Sequence, residues 1–337
     1  MLKVFIPEPL PGKLLLPLLA GMQKGDNRLF QHVPQEAFAG IITPVPNPAE
    51  ADVFLLPHNH AYLRDRMDYV HEALAAARAA GKRLVVFSVQ DDPAPIRLPG
   101  AIIFRASSYR STLLPNEIPM PAQVEDMGSA YGVTPLPKGS RPTVGFAGKA
   151  GFDRTRDRIR YYVRNYLFRH GPHREGLFFR RRALALLARD PRIALSAIVR
   201  KRFSAHAKTI EVAPDTARAE YVRSIQESLF TLAPRGDANY SLRFYETLSL
   251  GRIPVLIDTD MTLPLEDRIA YDEFIVRIPW NELASLGDRL VDFFESHTEE
   301  EVTRMQEKAR AAFTEFLYLP AFLRQEMTRE KLLGTTV

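Results

Sequence analysis

Two charged side chains, Arg243 and Glu246, stand three residues apart in a segment whose pattern predicts a helix. That spacing places them on one helix face, about one turn (5.4 Å) apart along the axis. A helix that begins near Ser241, after a strand ending at Ala233, directs its free amides and dipole toward an anion beyond the strand. Diphosphate is the expected anion, with Arg243 on phosphate and Glu246 accepting hydrogen bonds from ribose hydroxyls.

The same pattern has an ordinary structural explanation. Strand, loop, helix and strand with a glycine stop occur in any α/β protein, and Gly251 suits the left-handed position just after a helix. Arg243 and Glu246 could also be no more than a surface ion pair. Spacing alone therefore leaves both interpretations open.

The elements around this segment follow an alternating pattern that begins at the N-terminus. The runs KVFI, ADVFLLP and RLVVFSV predict strands, and an Ala-rich helix over 65–80 ends at Gly81. This alternation predicts a parallel sheet covered by helices. Residues 91–142 break it with nine prolines and hold one further strand, AIIFRAS, so a domain boundary is expected near residue 142.

The second half repeats the pattern from the strand TVGFAG onward. Helices are expected at about 154–169 and 175–189, and the tail after Thr298 is amphipathic and helical. The expected architecture is two Rossmann-like α/β domains facing each other across a cleft. Their predicted extents are 1–142 and 143–299, with a helical tail at 300–337.

The segment from Tyr221 to Phe274 resembles the exostosin family of glycosyltransferases. In that family a Ser-x-Phe-x-Leu-x-Pro-x-Gly-Asp strand and loop precede Ser-x-Arg-x-x-Glu and Gly-x-Ile-Pro-Val. This chain carries each part in register: Ser228-Leu-Phe-Thr-Leu-Ala-Pro-Arg-Gly-Asp, then Ser241-Leu-Arg with Glu246, then Gly251-Arg-Ile-Pro-Val. It departs from the family at Thr231, Thr247 and Tyr271, where Cys, Ala and Trp are usual.

The resemblance implies a GT-B fold and an inverting transfer from a nucleotide sugar, usually a UDP-sugar, without an essential metal or other cofactor. The donor would lie in the C-terminal domain, and a terminal helix would cross back to the N-terminal domain. A similar strand end followed by an arginine carries a phosphate role to Arg156 or Arg158, with Gly148 giving access. Arg235, in the loop before Ser241, is counted with the donor-binding residues.

An inverting transferase also needs a general base near the acceptor hydroxyl. Two polar loops follow predicted strands of the first domain, and they offer His58 and His60, and Asp91 and Asp92. Structural explanations exist for both loops, because His60 could cap the next helix and Asp92-Pro93 is a common start of a turn. The sequence leaves the choice of base open.

Charge is distributed unevenly along the chain. The net charge is +5, yet residues 151–202 contain fifteen Arg or Lys against four Asp or Glu. Such a segment suits an anionic membrane surface or acceptor, or a solvated basic face. No nucleic-acid-binding motif accompanies it.

Other gross features exclude several classes of protein. The absence of cysteine rules out disulfides, thiolate zinc sites and a cysteine nucleophile. Near the N-terminus, the run LLLPLLA is too short to span a bilayer. A cytoplasmic enzyme with peripheral membrane contact, acting on a glycan or lipid-linked acceptor, is expected. The alternative is a GT-B-shaped protein that binds a nucleotide sugar, an anionic polymer or a membrane without turnover.

Overall fold

Two parallel β-sheets organise the chain, and the computed structural model describes residues 1–20, 33–202 and 212–334. The N-terminal sheet has the strand order β2-β1-β3-β4-β5-β6, and every neighbouring pair is parallel. Its strands are β1 Leu2–Phe5, β2 Ile42–Pro44, β3 Val53–Leu55, β4 Leu84–Ser88, β5 Ala101–Arg105 and β6 Glu117–Pro119.

The C-terminal sheet has the order β11-β10-β9-β7-β8 and is also parallel throughout. Its strands are β7 Thr143–Lys149, β8 Ala194–Arg200, β9 Phe230–Ala233, β10 Ile253–Asp258 and β11 Val276–Pro279.

Helices cover both sheets. The described α-helices are α1 Pro17–Ala20, α2 Met67–Ala79, α3 Met127–Tyr131, α4 Thr155–Val163, α5 Gly176–Leu187, α6 Pro214–Gln226, α7 Leu242–Ser249, α8 Leu286–Glu295, α9 Glu299–Ala312, α10 Leu319–Glu326 and α11 Arg329–Gly334. Central strands such as β4 and β5 are buried at every position, as expected for a sheet with helices on both faces.

The predicted two-domain α/β architecture is confirmed, and most long elements lie where the sequence placed them. The differences concern short elements. Strands β2, β6 and β11 have three or four residues, each ends in a proline, and none contains an apolar run that marks a strand. The helix expected at 154–169 consists of α4 followed by a π-helical turn, Arg164–Phe168.

The C-terminal tail crosses back to the N-terminal domain, as the family resemblance led us to expect. It begins with a capping box between Thr298 and Glu301 at the start of α9. Farther along, Arg324 donates to the carbonyl oxygen of Ala37, and the rings of Phe322 and Phe104 lie 6.1 Å apart. At the end of the chain, Arg329 forms a 2.6 Å ion pair with Asp52. The tail therefore connects the two domains.

Among the described residues, no helix combines the length and apolar character needed to cross a membrane.

Candidate functional site

The loops at the carboxyl ends of the two sheets face each other and make direct contact. After β5, Ser107 accepts a 3.0 Å hydrogen bond from the backbone N–H of Asn239, which lies in the loop after β9. The side-chain amide of Asn239 donates to the carbonyl oxygen of Ser108 at 2.8 Å. Arg110 pairs with Glu266, beyond β10, at 2.6 Å. Ligands of parallel α/β sheets bind at this edge, so the site is sought here.

Glu246 lies on α7 and is buried, with 3% of its surface exposed. The hydroxyl of Tyr221, on α6, donates a hydrogen bond to its Oε2, and Arg218 lies 3.8 Å from its Oε1. Burial raises the pKa of Glu246, while the Tyr221 hydrogen bond and the charges of Arg218 and Arg243 oppose that rise. The carboxyl group is thus held in one orientation by a neighbouring helix.

Arg243 lies one helical turn before Glu246 and reaches the end of β7. Its Nη2 donates to the carbonyl oxygen of Ala147 at 2.6 Å, and its guanidinium lies 4.5 Å from the ring centre of Phe146. Gly148 has a φ of 155°, and a Cβ there would stand 2.9 Å from Arg243 Nη2. The space left by Gly148 is therefore used by the guanidinium of Arg243.

Arg180, on α5, joins Arg243 at this edge. It donates to the carbonyl oxygens of Lys149 and Arg235, each at 3.3 Å. Burial, with the nearby charge of Arg243, lowers the pKa of Arg180 to about 10. The Nε atoms of Arg180 and Arg243 are both buried without a hydrogen-bond partner among the described residues.

Arg235 completes the group and is 3% exposed. Its guanidinium donates to the carbonyl oxygens of Pro172, Asp237 and Ala238 and to the hydroxyl of Tyr109. Most of its N–H groups therefore already donate to oxygen atoms of the protein. The main role of Arg235 is to position the loop after β9, and few donors remain for a ligand.

These three arginines share one property. Within the described residues, none of Arg180, Arg235 and Arg243 has a carboxylate at salt-bridge distance. Buried cations normally need an opposite charge. The arrangement suits an anionic ligand that supplies it.

Ser241 occupies the N-cap position of α7, as predicted, and is buried. Its side chain makes no capping hydrogen bond to the helix. The hydroxyl is therefore not committed to the backbone amides of the helix. At the other end of α7, Gly251 has the predicted left-handed conformation, with a φ of 62°.

Arg156 and Arg158 lie on exposed turns of α4, apart from this group. Arg156 has three quarters of its side chain exposed and lies 3.9 Å from Asp157. Their placement gives no support to the phosphate role that the family resemblance carried to them.

His58, in the loop after β3, is fully buried, and backbone groups contact both nitrogens of its ring. Its Nε2 accepts from the N–H of Leu10 at 2.8 Å, and its Nδ1 lies 2.9 Å from the carbonyl oxygen of Leu14. This side chain fixes the loop after β1. Neither ring nitrogen remains for an acceptor hydroxyl.

His60 is also buried, and neither ring nitrogen has a hydrogen-bond partner among the described residues. Burial and the charges of Arg105 and Arg64 lower its pKa. The cap before His60 is made by Asn59, whose Oδ1 accepts from the N–H of Ala61 at 3.3 Å. The capping role considered for His60 therefore belongs to its neighbour.

The two aspartates after β4 have different surroundings. Asp92 pairs with Arg64 at 3.2 Å on the surface and accepts from the N–H of Ala94, as the turn explanation expected. Asp91 instead faces the C-terminal domain. Its pKa is raised by partial burial and by the charge of Asp237, and lowered by Arg235. Asp91 is thus the carboxylate that lies opposite the loop after β9.

A basic cavity of about 440 Å³ lies beside the carboxyl end of β7. Its lining includes the rings of Phe152 and Tyr161 and three carboxylates, against six basic side chains: Lys149, Arg154, Arg160, Arg164, Lys201 and Arg202. Some of the basic residues of the Arg-rich segment 151–202 therefore line this cavity. Another of its arginines, Arg181, turns inward and donates to the carbonyl oxygen of Ala150 at 2.8 Å.

Sequence reasoning missed three residues of this site. Arg180 was grouped with the surface arginines, although it lies seven residues before the buried Leu187 and four after the buried Gly176, on one helix face. Tyr221 and Arg218 are three residues apart on α6, and both approach Glu246. Tyr221 was part of the family pattern without an assigned role.

Comparison with known proteins finds a family match within the second half of the chain. Residues 175–293 match the model of the Exostosin GT47 domain, which confirms the resemblance found in the sequence. A probable glucuronosyltransferase of Oryza sativa subsp. japonica is 38% identical over 72 residues, 21% of this chain and 17% of that protein. The Exostosin-1 homolog of Caenorhabditis elegans is 30% identical over 100 residues, 30% of this chain and 25% of that protein. The matched region is therefore at most a quarter of these two relatives.

Solved structures align over nearly the whole chain at low similarity. A glycosyltransferase from Rickettsia africae has a TM-score of 0.38 and 10% identity, covering 99% of both chains. Anabaena HepE in complex with UDP has a TM-score of 0.41 and 10% identity, covering 99% of this chain and all of that one.

Proposed function

Starting from an exostosin GT47 domain at residues 175–293, we propose that the chain is an inverting glycosyltransferase. It transfers a sugar from a nucleotide-sugar donor, a UDP-sugar in the first instance, to a glycan or lipid-linked saccharide in surface polysaccharide synthesis. One observation carries the proposal. Arg180, Arg235 and Arg243 are gathered at the carboxyl edge of the second sheet without a carboxylate partner at salt-bridge distance in the described chain.

The donor would bind with its diphosphate against Arg180 and Arg243 and near the hydroxyl of Ser241. Both arginines keep N–H groups that no described residue accepts, and charge-assisted hydrogen bonds to phosphate are the strong ones. Glu246 would accept from the ribose hydroxyls, oriented by Tyr221. Diphosphate charge grows as the sugar leaves, so these cations stabilise the transition state more than the bound donor.

Asp91 is the proposed general base, because its carboxylate faces the donor loop while that of Asp92 is paired with Arg64. The acceptor hydroxyl would pass its proton to Asp91 as its oxygen forms a bond to the anomeric carbon. The bond between that carbon and the diphosphate oxygen breaks, and the leaving diphosphate keeps the electron pair. Attack from the face opposite the leaving group inverts the anomeric centre.

We further propose a transfer that needs no metal ion or other cofactor, because arginine cations can neutralise the leaving diphosphate. Nucleotide sugars are cytoplasmic metabolites, so we propose that compartment, at the inner face of the membrane if the acceptor is lipid-linked. The Arg-rich segment 151–202 is the part proposed to approach an anionic membrane.

The test combines binding and turnover. The purified chain is heated with UDP, GDP or CDP, and release of nucleoside diphosphate from UDP-sugars is followed with and without acceptor saccharides. Selective stabilisation by one nucleotide that Glu246→Ala removes, together with turnover, supports the proposal. Stabilisation without turnover would instead indicate a non-catalytic nucleotide-sugar-binding protein. If no nucleotide stabilises the chain, both the transferase and the non-catalytic binder are ruled out.

A further inference from the structure

The helical segment 159–168 carries the densest group of exposed apolar side chains in the described chain. Leu167 and Phe168 have 67% and 75% of their surface exposed, and among large apolar residues outside this segment only Met1 and Leu14 reach comparable values. Four more exposed apolar residues accompany them within ten positions: Ile159, Tyr162, Val163 and Tyr166. Contiguous exposed apolar surface of this kind marks an interaction site more often than a chance feature.

The solvent-facing side of this segment is defined by which of its side chains are exposed. Within α4, Ile159, Tyr162 and Val163 have the i, i+3, i+4 spacing of one helix face. Tyr166, Leu167 and Phe168 continue the exposed group through the π-helical turn Arg164–Phe168. The opposite side holds Tyr161 and Asn165, both buried, and the amide of Asn165 donates to Glu175 at 3.0 Å. The core-facing and solvent-facing sides of the helix are thus both well defined, and the solvent-facing side is apolar.

Arginines border this apolar side on both edges. Residues 154–169 contain six arginines and one aspartate. In α4, Arg158 and Arg160 lie about 100° to either side of Ile159, and Arg169 follows the π-helical turn in an extended conformation. Arg164 is paired with Glu175 at 3.2 Å. Within the described chain, Arg158, Arg160 and Arg169 have no carboxylate at salt-bridge distance.

We propose that this face is a docking surface for an anionic lipid bilayer. The docking face is defined as Ile159, Tyr162, Val163, Tyr166, Leu167 and Phe168 with the bordering Arg158, Arg160 and Arg169. An apolar stripe with aromatic rings, bordered by arginines on a strongly basic helix, matches a helix lying in the plane of a membrane interface. The apolar side chains enter the acyl boundary while the arginines meet anionic headgroups.

Charge argues against a second copy of the chain as the occupant. A symmetric contact places the same patch on both partners, so the arginine borders would meet each other. Like charges brought together in this way oppose association. An anionic bilayer complements both parts of the face.

The docking face follows, along the chain, the strand end that borders the proposed donor site. Helix α4 begins six residues after β7 ends, and the carbonyl oxygens at that strand end receive Arg243 and Arg180. The inference sharpens the membrane contact proposed above but does not depend on sugar transfer.

Vesicle sedimentation tests it with the whole chain. Vesicles of phosphatidylcholine alone are compared with vesicles containing phosphatidylglycerol, and the partition coefficient is measured for each variant. The wild-type chain is expected to bind the anionic vesicles and to be released by salt. Leu167→Ser with Phe168→Ser should weaken binding at least about tenfold. Arg158→Gln with Arg169→Gln should weaken it at least about fivefold.

Two matched controls separate the docking face from general charge and general apolar exposure. Arg182→Gln with Arg189→Gln removes the same charge from exposed sites of the same basic segment, outside α4. Leu333→Ser removes an exposed leucine from α11. Both are expected to bind within about twofold of wild type. Unchanged thermal unfolding shows that the docking-face variants fold.

Several outcomes would overturn the inference. Wild-type chain that stays in the supernatant with anionic vesicles is one, and equal binding by the Leu167→Ser, Phe168→Ser variant is another. A dimer in sedimentation equilibrium that this variant abolishes would assign the face to a second copy instead. Vesicle binding without any nucleotide response would leave this inference standing and remove the proposed function.

Discussion

The hydroxyl of Tyr221 donates a hydrogen bond to Oε2 of Glu246, joining α6 to α7 inside the C-terminal domain. Burial raises the pKa of Tyr221 well above its usual value, so the proton stays on the phenol and the carboxylate accepts. Burial also raises the pKa of Glu246, against the effect of that hydrogen bond. The pair therefore sets the orientation and the charge of the carboxyl group proposed to hold the ribose.

Tyr221→Phe is expected to weaken UDP binding about five- to tenfold, because a hydrogen bond to a charged group contributes about 1.5–3 kcal/mol, part of which a water replaces. Isothermal titration measures the dissociation constant. Tyr62→Phe, an exposed tyrosine of the N-terminal domain, is the control and should leave it unchanged. Equal affinities in all three proteins would show that Tyr221 does not orient the nucleotide.

Glu246→Gln is expected to increase the stability of the nucleotide-free protein at neutral pH while abolishing UDP binding. The folded-state pKa of Glu246 lies above its unfolded value, so the carboxyl group stabilises the fold below the unfolded pKa and that contribution is lost as pH rises through the folded pKa. The difference in unfolding free energy between variant and wild type should therefore grow with pH from about 4.5 upward. A difference in unfolding free energy that is independent of pH would contradict a raised pKa for Glu246.

Asp91→Asn is expected to lower the transfer rate about 10²- to 10⁴-fold, as removal of a general base does, with UDP affinity retained. Asp92→Asn is the matched control, since that carboxylate is paired with Arg64 on the surface. Transfer that survives Asp91→Asn and fails in His60→Gln would move the base to His60.

The pH dependence of transfer gives a further check on the same residue. The raised pKa of Asp91 places the acid limb of the rate profile above the usual aspartate range. Asp237→Asn removes the like charge that contributes to the shift, so the limb should move to lower pH. A limb that stays in place would show that Asp91 is not the titrating group.

Gly148→Ala is expected to weaken UDP binding, because its Cβ would stand 2.9 Å from Arg243 Nη2 and force the guanidinium to move. Gly139→Ala is the control, because Gly139 also has a positive φ, 67°, but no atom within 4 Å of the added carbon. Nucleotide affinity should fall in the first variant and remain in the second, although both lose some stability. Equal UDP affinities in the two variants would show that Gly148 is not part of the donor site.

Much of the fold followed from local pattern, because long parallel strands are continuous apolar runs and their helices begin and end at recognisable residues. The strands β2, β6 and β11 did not, since each ends in a proline and holds only one or two branched apolar residues, so that no apolar run marks it. The donor segment was found because Ser241, Arg243 and Glu246 lie within six residues on one element.

Residues that reach the site from other elements could not be placed this way. Arg180 comes from α5, more than sixty positions before Arg243, and its burial depends on packing against the loop after β9. His58 was assigned from its chemistry, while contacts with Leu10 and Leu14, over forty positions away, determine its structural role. Such relationships exist only in the folded chain.

The central claim is that largely buried arginines without carboxylate partners bind the diphosphate of a nucleotide. Titration of wild type with UDP, UMP and uridine tests it most directly, alongside Arg180→Gln and the exposed neighbour Arg182→Gln. We predict that affinity falls with each phosphate removed, and that Arg180→Gln weakens UDP at least about tenfold while leaving uridine unchanged. Arg182→Gln should match wild type. Equal affinity for UDP and uridine, or equal loss in both arginine variants, would contradict the account.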